Sequence, residues 1–346
     1  MRIAALALFL LLGFLANAQH ADNIALKLKP QVDTVYIQDF SDKLIIGVSL
    51  PQKFLDFAVV SSENKTPDLE YEPSSRGSIG GYFSYKWLGA GASVSIPQSD
   101  KDRAMYGKTA RYDFQFNIYL REFVIDAYFQ SYKGVYNANV DEFIGSWNSD
   151  SPFPQRPDIG LVNLGLTARY VWNNTRFSYK SSFDFSEKQR KSAGSLIFGL
   201  YAFINGVAAD SSVIPHYALS SFDESIMYSS YSGIHLGASV GYAYTFVIKK
   251  NFFFTLSVIP GIGAFASELT LADGSVVNPD AKASIVISSR FSLGYSKNRF
   301  YLAINGVNGT TIAAASKEYS TEVSYGNANV TLGYRFNAPR LLKRDK

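Results

Sequence analysis

Arg111-Tyr112-Asp113-Phe114-Gln115-Phe116-Asn117-Ile118-Tyr119-Leu120 changes chemistry at nearly every step. Tyr112, Phe114, Phe116, Ile118 and Leu120 form one apolar row, and Arg111, Asp113, Gln115 and Asn117 form a polar one. A two-residue period puts successive side chains on opposite faces, so this is a strand wetted on one side and greased on the other. The pattern recurs along the rest of the chain without helical periodicity. That repetition predicts a closed antiparallel transmembrane β-barrel, apolar rows to lipid and polar rows to the lumen.

The chain opens as an export signal. Arg2 gives the positive start, Ile3 to Leu15 the apolar run, and Ala16-Asn17-Ala18 a small-x-small site, so cleavage is expected after Ala18. Residues 19–42 read as a polar N-terminal segment in the periplasm, 43–336 as the barrel, and 337–346 as a basic periplasmic tail. No later stretch has the twenty or so apolar residues that a helical span needs. Cysteine is absent from all 346 residues, which excludes disulfides and thiolate metal sites. Aromatic residues make up 15%, as interfacial girdles of Tyr, Trp and Phe require. The net charge of +4 is mixed along the chain and gives no footprint for nucleic acid.

Further strands follow the same rule. Phe123, Ile125, Ala127 and Phe129 oppose Val124, Asp126, Tyr128 and Gln130, and Val162 to Trp172 alternate with Asn163, Gly165, Thr167 and Arg169. Rows are also read at Phe177 to Phe185, at Leu196 to Ile204, at Ile234 to Ile248 and from Phe252 to Val258. The final rows run from Ile285 to Tyr295, from Phe300 to Ile304 and from Val330 to Phe336. Tight reversals near Leu88, Arg121, Asn173, Lys250 and Asn298 alternate with longer ones near Asp102, Asn148, Gln189, Asp273 and Lys317. Counting Ser212 to Leu219 and an N-terminal strand from Phe54 to Val60, the total is about fourteen; without that pair it is about twelve, also even as barrels require. Tyr201-x-x-Ile204-Asn205-Gly206-Val207 matches Tyr301-x-x-Ile304-Asn305-Gly306-Val307. A true duplication would make these two strands run the same way and favour the smaller count.

The polar rows place Arg111, Asp113, Asp126, Arg169, Arg176, Lys180, Asp184, His235, Arg290 and Arg335 in the lumen. Mixed signs suit a ladder of ion pairs that fills the barrel, or the lining of a pore that prefers anions, and a filled or narrow lumen is expected. His216, Ser220 and Asp223 carry the residue types of a hydrolytic triad, although nearness in sequence is poor evidence for one. Asp33, Asp39, Asp42 and Asp141-Glu142 lack calcium-loop spacing, and Gly261-x-Gly263 lacks the third glycine and the helix of a dinucleotide fingerprint. No metal or cofactor is expected.

Leu69-Glu70-Tyr71-Glu72-Pro73, Gly80-Gly81-Tyr82, Tyr85-Lys86-Trp87-Leu88, Asp210 to Pro215 and Gly241-Tyr242-Ala243-Tyr244 together resemble an outer-membrane β-barrel family of the Bacteroidetes, catalogued as domain of unknown function 4421. Ser74 stands where that family tends to have asparagine. The resemblance implies a barrel in the outer membrane of a Gram-negative bacterium and brings no established activity. A barrel so placed is expected to have outer-membrane lipid and the barrel assembly machinery as partners. The reading is a structural or narrow-pore transport barrel. The alternatives are a surface receptor or adhesin acting through loops around Trp147 and His216, and a lipid-modifying enzyme. Nothing in the sequence specifies an oligomeric state.

Overall fold

The computed structural model describes residues 32–61, 66–74, 77–85, 88–223, 226–279, 283–316 and 318–338. The export signal with Ala18, and most of the basic tail, lie outside them. A small ladder pairs β1 (Ile37–Asp39) with β9 (Glu187–Gln189). The large antiparallel sheet holds fourteen strands: β2 (Lys43–Ser61), β3 (Leu69–Glu72), β4 (Ser78–Tyr85), β5 (Leu88–Ser95), β6 (Ala110–Tyr119), β7 (Phe123–Asn137), β8 (Gln155–Val171), β10 (Ala193–Ala208), β11 (Tyr228–Ile248), β12 (Phe252–Leu271), β13 (Val276–Val277), β14 (Ala283–Ser296), β15 (Phe300–Ala314) and β16 (Tyr319–Asn337). Pairing of β16 with β2 closes the sheet into a ring through β3, β7, β8, β10, β11, β12, β14 and β15. The four others branch from it: β4 on β2, β5 on β4, β6 on β7 and β13 on β12.

Closure satisfies backbone hydrogen bonds that an open sheet would leave unpaired in lipid. Period-two alternation decides the facing. On β6, Tyr112, Phe114 and Phe116 are well exposed, and the outward row of β10 exposes Leu196, Phe198, Leu200 and Ile204 while Ile197, Tyr201, Phe203 and Asn205 are buried. This exposed apolar belt continues around the wall through Leu236, Val240, Ile262, Ile285, Leu293, Leu302 and Leu332. β2, β11, β12 and β16 have 19 to 21 residues, about twice the nine to eleven that a tilted span needs, so they project beyond the belt.

β3 and β4 both pair with β2, and the register slips by one residue between Phe57↔Tyr71 and Ser49↔Gly80. They are two halves of one interrupted wall strand. Pro51 sits on β2 within the interruption, where a residue with no N–H to donate leaves no ladder bond broken toward that side.

Two segments expected as strands are not. Phe177 to Phe185 leaves the wall: β8 pairs directly with β10, and residues 172–192 between them fold into the barrel mouth through a one-turn helix, α2 (Lys180–Phe183; α1 is Asp100–Tyr106). Tyr179 and Phe183 lie four residues apart, which sets them on one face of a helix turn and equally on one row of a strand, so the alternation alone reads as wall. Ser212 to Leu219 likewise forms no strand, because Pro215 opens a 3₁₀ turn over His216–Ser221. The expected tight turn at Asn173 and longer loop at Gln189 therefore belong to one inserted segment at one end. The fourteen strands are reached instead through two short strands that the pattern did not show, β3, split from β4, and β13, which replace the two lost. The paired Tyr-x-x-Ile-Asn-Gly-Val segments fall on β10 and β15, which both run away from the end holding the chain termini, as a duplication would require.

Candidate functional site in the lumen

Three layers fill the interior. At the long-loop end the inward rows are apolar rather than polar. Phe57, Tyr71, Tyr128, Phe203, Tyr231, Phe265 and Tyr325 join Val213, Ile214, Ala218, Phe222 and Ile226 of the loop 209–227 in one buried cluster. The Tyr71 hydroxyl donates to the Val213 carbonyl at 2.7 Å, which seats that loop on the wall. A lumen packed in this way is a core rather than a channel.

Beneath it runs a polar belt. The Lys53 ammonium meets the Asp113 carboxylate at 2.9 Å, and Tyr132 and Gln130 donate to the same carboxylate at 2.8 and 2.9 Å. Asn163 donates to Gln130 at 2.9 Å, Asn205 to Asn163 at 3.0 Å, and Thr311 reaches Asn205 from the far wall at 3.0 Å. Asp113, Gln130, Asn163 and Asn205 stand in register on β6, β7, β8 and β10, so flat pairing alone lines up their amides. One step nearer the chain termini, Asp126 Oδ2 accepts from both Arg169 Nη1 and Arg290 Nη2, and from the Thr167 hydroxyl at 3.2 Å. Arg169 also donates to Ser288 at 3.1 Å, and Arg290 to the Tyr119 hydroxyl at 3.0 Å. Asp126 comes from β7 and Arg290 from β14, so the pairing spans the lumen.

The third layer is the inserted segment. Phe177, Tyr179, Phe185, Ser181 and Ser182 are buried. Tyr179 and Ser257 share a hydrogen bond at 2.7 Å, as do Ser182 and Thr255, and Ser292 donates to the Ser182 carbonyl at 2.9 Å. The Arg290 guanidinium lies 5.9 Å from the Tyr179 ring and 5.7 Å from Phe183, which couples the polar belt to this plug. Phe185 adopts a left-handed backbone, φ 59°, rare for a bulky residue, and its ring stacks on Tyr301 at 4.1 Å. Arg335 is the clamp: its Nε donates to the Phe185 carbonyl at 2.9 Å and its Nη1 to Lys297 at 2.7 Å, while its guanidinium covers Phe40 at 4.4 Å. Phe40 belongs to the N-terminal segment, which seals the plug from outside through the β1–β9 ladder. Burial pushes the Asp184 and Glu187 carboxyls up from their ordinary range, against the pull of Lys180 on both and of Arg121 on Glu187.

Arg335→Ala is expected to speed amide hydrogen exchange across residues 180–189 by roughly tenfold or more, since charge-assisted hydrogen bonds contribute about 1.5–3 kcal/mol. Exchange in β10 and β11 should not change, and equal exchange in the plug would show that Arg335 does not hold it.

The ten residues expected in the lumen thus divide. Asp113, Asp126, Arg169, His235, Arg290 and Arg335 face inward on wall strands. Arg111 stands on the inner row of β6 but is partly exposed, donating to Ser95 at 2.8 Å. Arg176 is exposed at the rim, 3.4 Å from Asp33 and over the Tyr36 ring, because its segment is not a wall strand. Lys180 and Asp184 sit in the plug for the same reason. His235 is 1% exposed and packs at a tilt against Phe265, ring centres 4.7 Å apart, with neither ring nitrogen hydrogen-bonded. His216 and Ser220 are exposed on the 209–227 loop with no hydrogen bond between them, so no triad is assembled there with Asp223. Gly261 and Gly263 lie inside β12. The described residues hold no group of three or more His, Cys, Asp or Glu arranged for a metal ion. Sequence reasoning missed the plug and the loop-end core; the signal available for the first was Ser181, which breaks the apolar row between Tyr179 and Phe183.

The family described as "Domain of unknown function (DUF4421)" matches residues 31–336, which takes in the wall, the plug and the N-terminal seal. The chain belongs to that family. No curated protein matches it. Among solved structures, the outer membrane protease OmpT of Escherichia coli is 11% identical, with 86% of this chain and 98% of that one covered and a TM-score of 0.37. The toluene transporter TodX of Pseudomonas putida is 8% identical over 86% of this chain and 90% of its own, TM-score 0.22. The outer membrane protein OprG of Pseudomonas aeruginosa is 10% identical over 86% and 96%, TM-score 0.21. At these scores the likenesses carry no argument about activity.

Proposed function

We propose that this member of the DUF4421 family is a closed outer-membrane barrel, exported behind the signal ending at Ala18 and serving as a structural or narrow-pore element rather than an open porin. The observation that carries the reading is the filled lumen: an apolar core at the loop end, the Arg169–Asp126–Arg290 belt, and the plug around Tyr179 and Phe185 stand in series. The exposed apolar belt supports placement in a bilayer, where outer-membrane lipid is the partner. Insertion by the barrel assembly machinery would use the terminal strand ending Tyr334-Arg335-Phe336. Reconstituted in planar bilayers, the protein should give no stable large conductance steps. Regular steps of porin size would overturn the closed reading.

A further inference from the structure

The barrel wall has a seam. At the loop end β3 meets β7 through Tyr71↔Asn137 and Glu72↔Tyr136, and the wall is continuous. Toward the chain termini the two sides diverge: β4 carries β5, β7 carries β6, and among the described residues no ladder joins β5 to β6. From Gly91 to Ser95 every residue of β5 is exposed, on the inner row as well as the outer, which is what an opening beside it produces. Val94 on one lip and Tyr112, Phe114 and Phe116 on the other are among the most exposed apolar side chains of the belt. The seam therefore opens at the depth of the bilayer, where an unpaired strand edge without a hydrogen-bonding partner is costly.

At the upper end of the seam Arg111, on the inner row of β6, donates to Ser95 of β5 at 2.8 Å; below it the chemistry behind the lips is polar and neutral. Ser93 lies on the inner face beside Ser49, as the contacts around Gly80 require. Asn327 donates to Gln115 Oε1 at 2.8 Å from across the interior. Gln115 Nε2 and Asn329 Oδ1 are buried with no hydrogen-bond partner, one a donor and the other an acceptor. The nearby Lys53 is neutralised by Asp113. Amides of this kind suit hydroxyl and carbonyl groups and give no counter-charge for a phosphate.

The geometry points to a lateral portal: the seam between β5 and β6 receives the uncharged, hydroxyl-bearing end of a membrane amphiphile on Gln115 and Asn329, while its hydrocarbon stays among the bilayer chains. This rests on the placement of the belt in a membrane. The absence of native cysteine allows a single label. S93C would carry a bromine-quenchable fluorophore inside the portal, and L200C would carry it on the outer belt away from the seam as the control, each in phosphatidylcholine vesicles. Brominated monoacylglycerol should quench the S93C label several-fold more than brominated phosphatidylcholine at equal bromine content. The L200C label should respond to both alike, and Q115A/N329A should remove the preference while keeping the β-type circular dichroism. Equal quenching by both lipids at S93C, or a preference that survives Q115A/N329A, would overturn the portal. So would displacement by free glycerol, which would assign the amides to a soluble polyol, or disulfide-linked S93C dimers, which would assign the seam to a second copy. If L200C is not quenched at all, the membrane placement falls first and the portal with it.

Discussion

Asp126→Asn is expected to cost about 3–5 kcal/mol of unfolding free energy, the toll of leaving a buried charge uncompensated. The carboxylate is fully buried, the side chains of Arg169 and Arg290 are 5% and 1% exposed, and both guanidiniums converge on Oδ2. Asparagine keeps the shape and removes the anion that, among the described residues, both cations contact. Arg169→Met should cost clearly less, because it leaves one guanidinium facing one carboxylate and replaces the long stem with apolar bulk. Arg290→Met should fall between, since it also abandons the Tyr119 hydroxyl and the ring faces of Tyr179 and Phe183. Urea unfolding in detergent micelles, followed by tryptophan fluorescence, gives the order. A loss for Arg169→Met as large as that for Asp126→Asn would mean that packing, not charge balance, sets the stability of the belt.

The wall was readable because a barrel strand has lipid on one side and protein on the other, so its alternation is sharp. The row Arg111 to Leu120 is recovered on β6, and Phe123 to Gln130 on β7, with the expected faces. Phe177 to Phe185 deceived for a related reason: an aromatic residue buried against the inner wall looks the same in sequence as one facing lipid, and four of them nearly alternate. Tyr179 and Phe183, four apart, suit a strand row and a helix turn alike, and only Ser181, which interrupts the row, departs from a wall strand. The inward rows of the loop-end half were harder still, because Tyr, Phe, Val and Ile occur on both faces there and alternation loses its contrast. In the polar belt, the residues were legible but their partners were not. Asp126 pairs with Thr167 and has Arg169 as its diagonal neighbour on the next strand, whereas Arg290 arrives from the opposite wall, a distance that only closure of the sheet brings to bonding range.

Replacing residues 174–191 by a short Gly/Ser turn should destabilise the barrel strongly and yet leave it electrically silent. β8 and β10 already pair from Val171↔Ile197 upward, so a tight connection can join them without disturbing the wall. Excision removes Phe177, Tyr179 and Phe185, exposed by 0%, 3% and 1%. At about 1.5–3 kcal/mol for each fully buried large side chain, the loss is of the order of 5 kcal/mol or more, together with the Arg335 clamp. Conductance should nevertheless stay absent, because the cluster from Phe57 to Tyr325, sealed by Val213, Ile214 and Phe222, still fills the loop-end half. Single-channel recording beside a denaturation curve separates the two effects. Large steps after excision would mean that the plug alone closes the lumen and that the loop-end core yields to water once its support is gone; an unchanged denaturation midpoint would mean that the wall never depended on the segment folded into it.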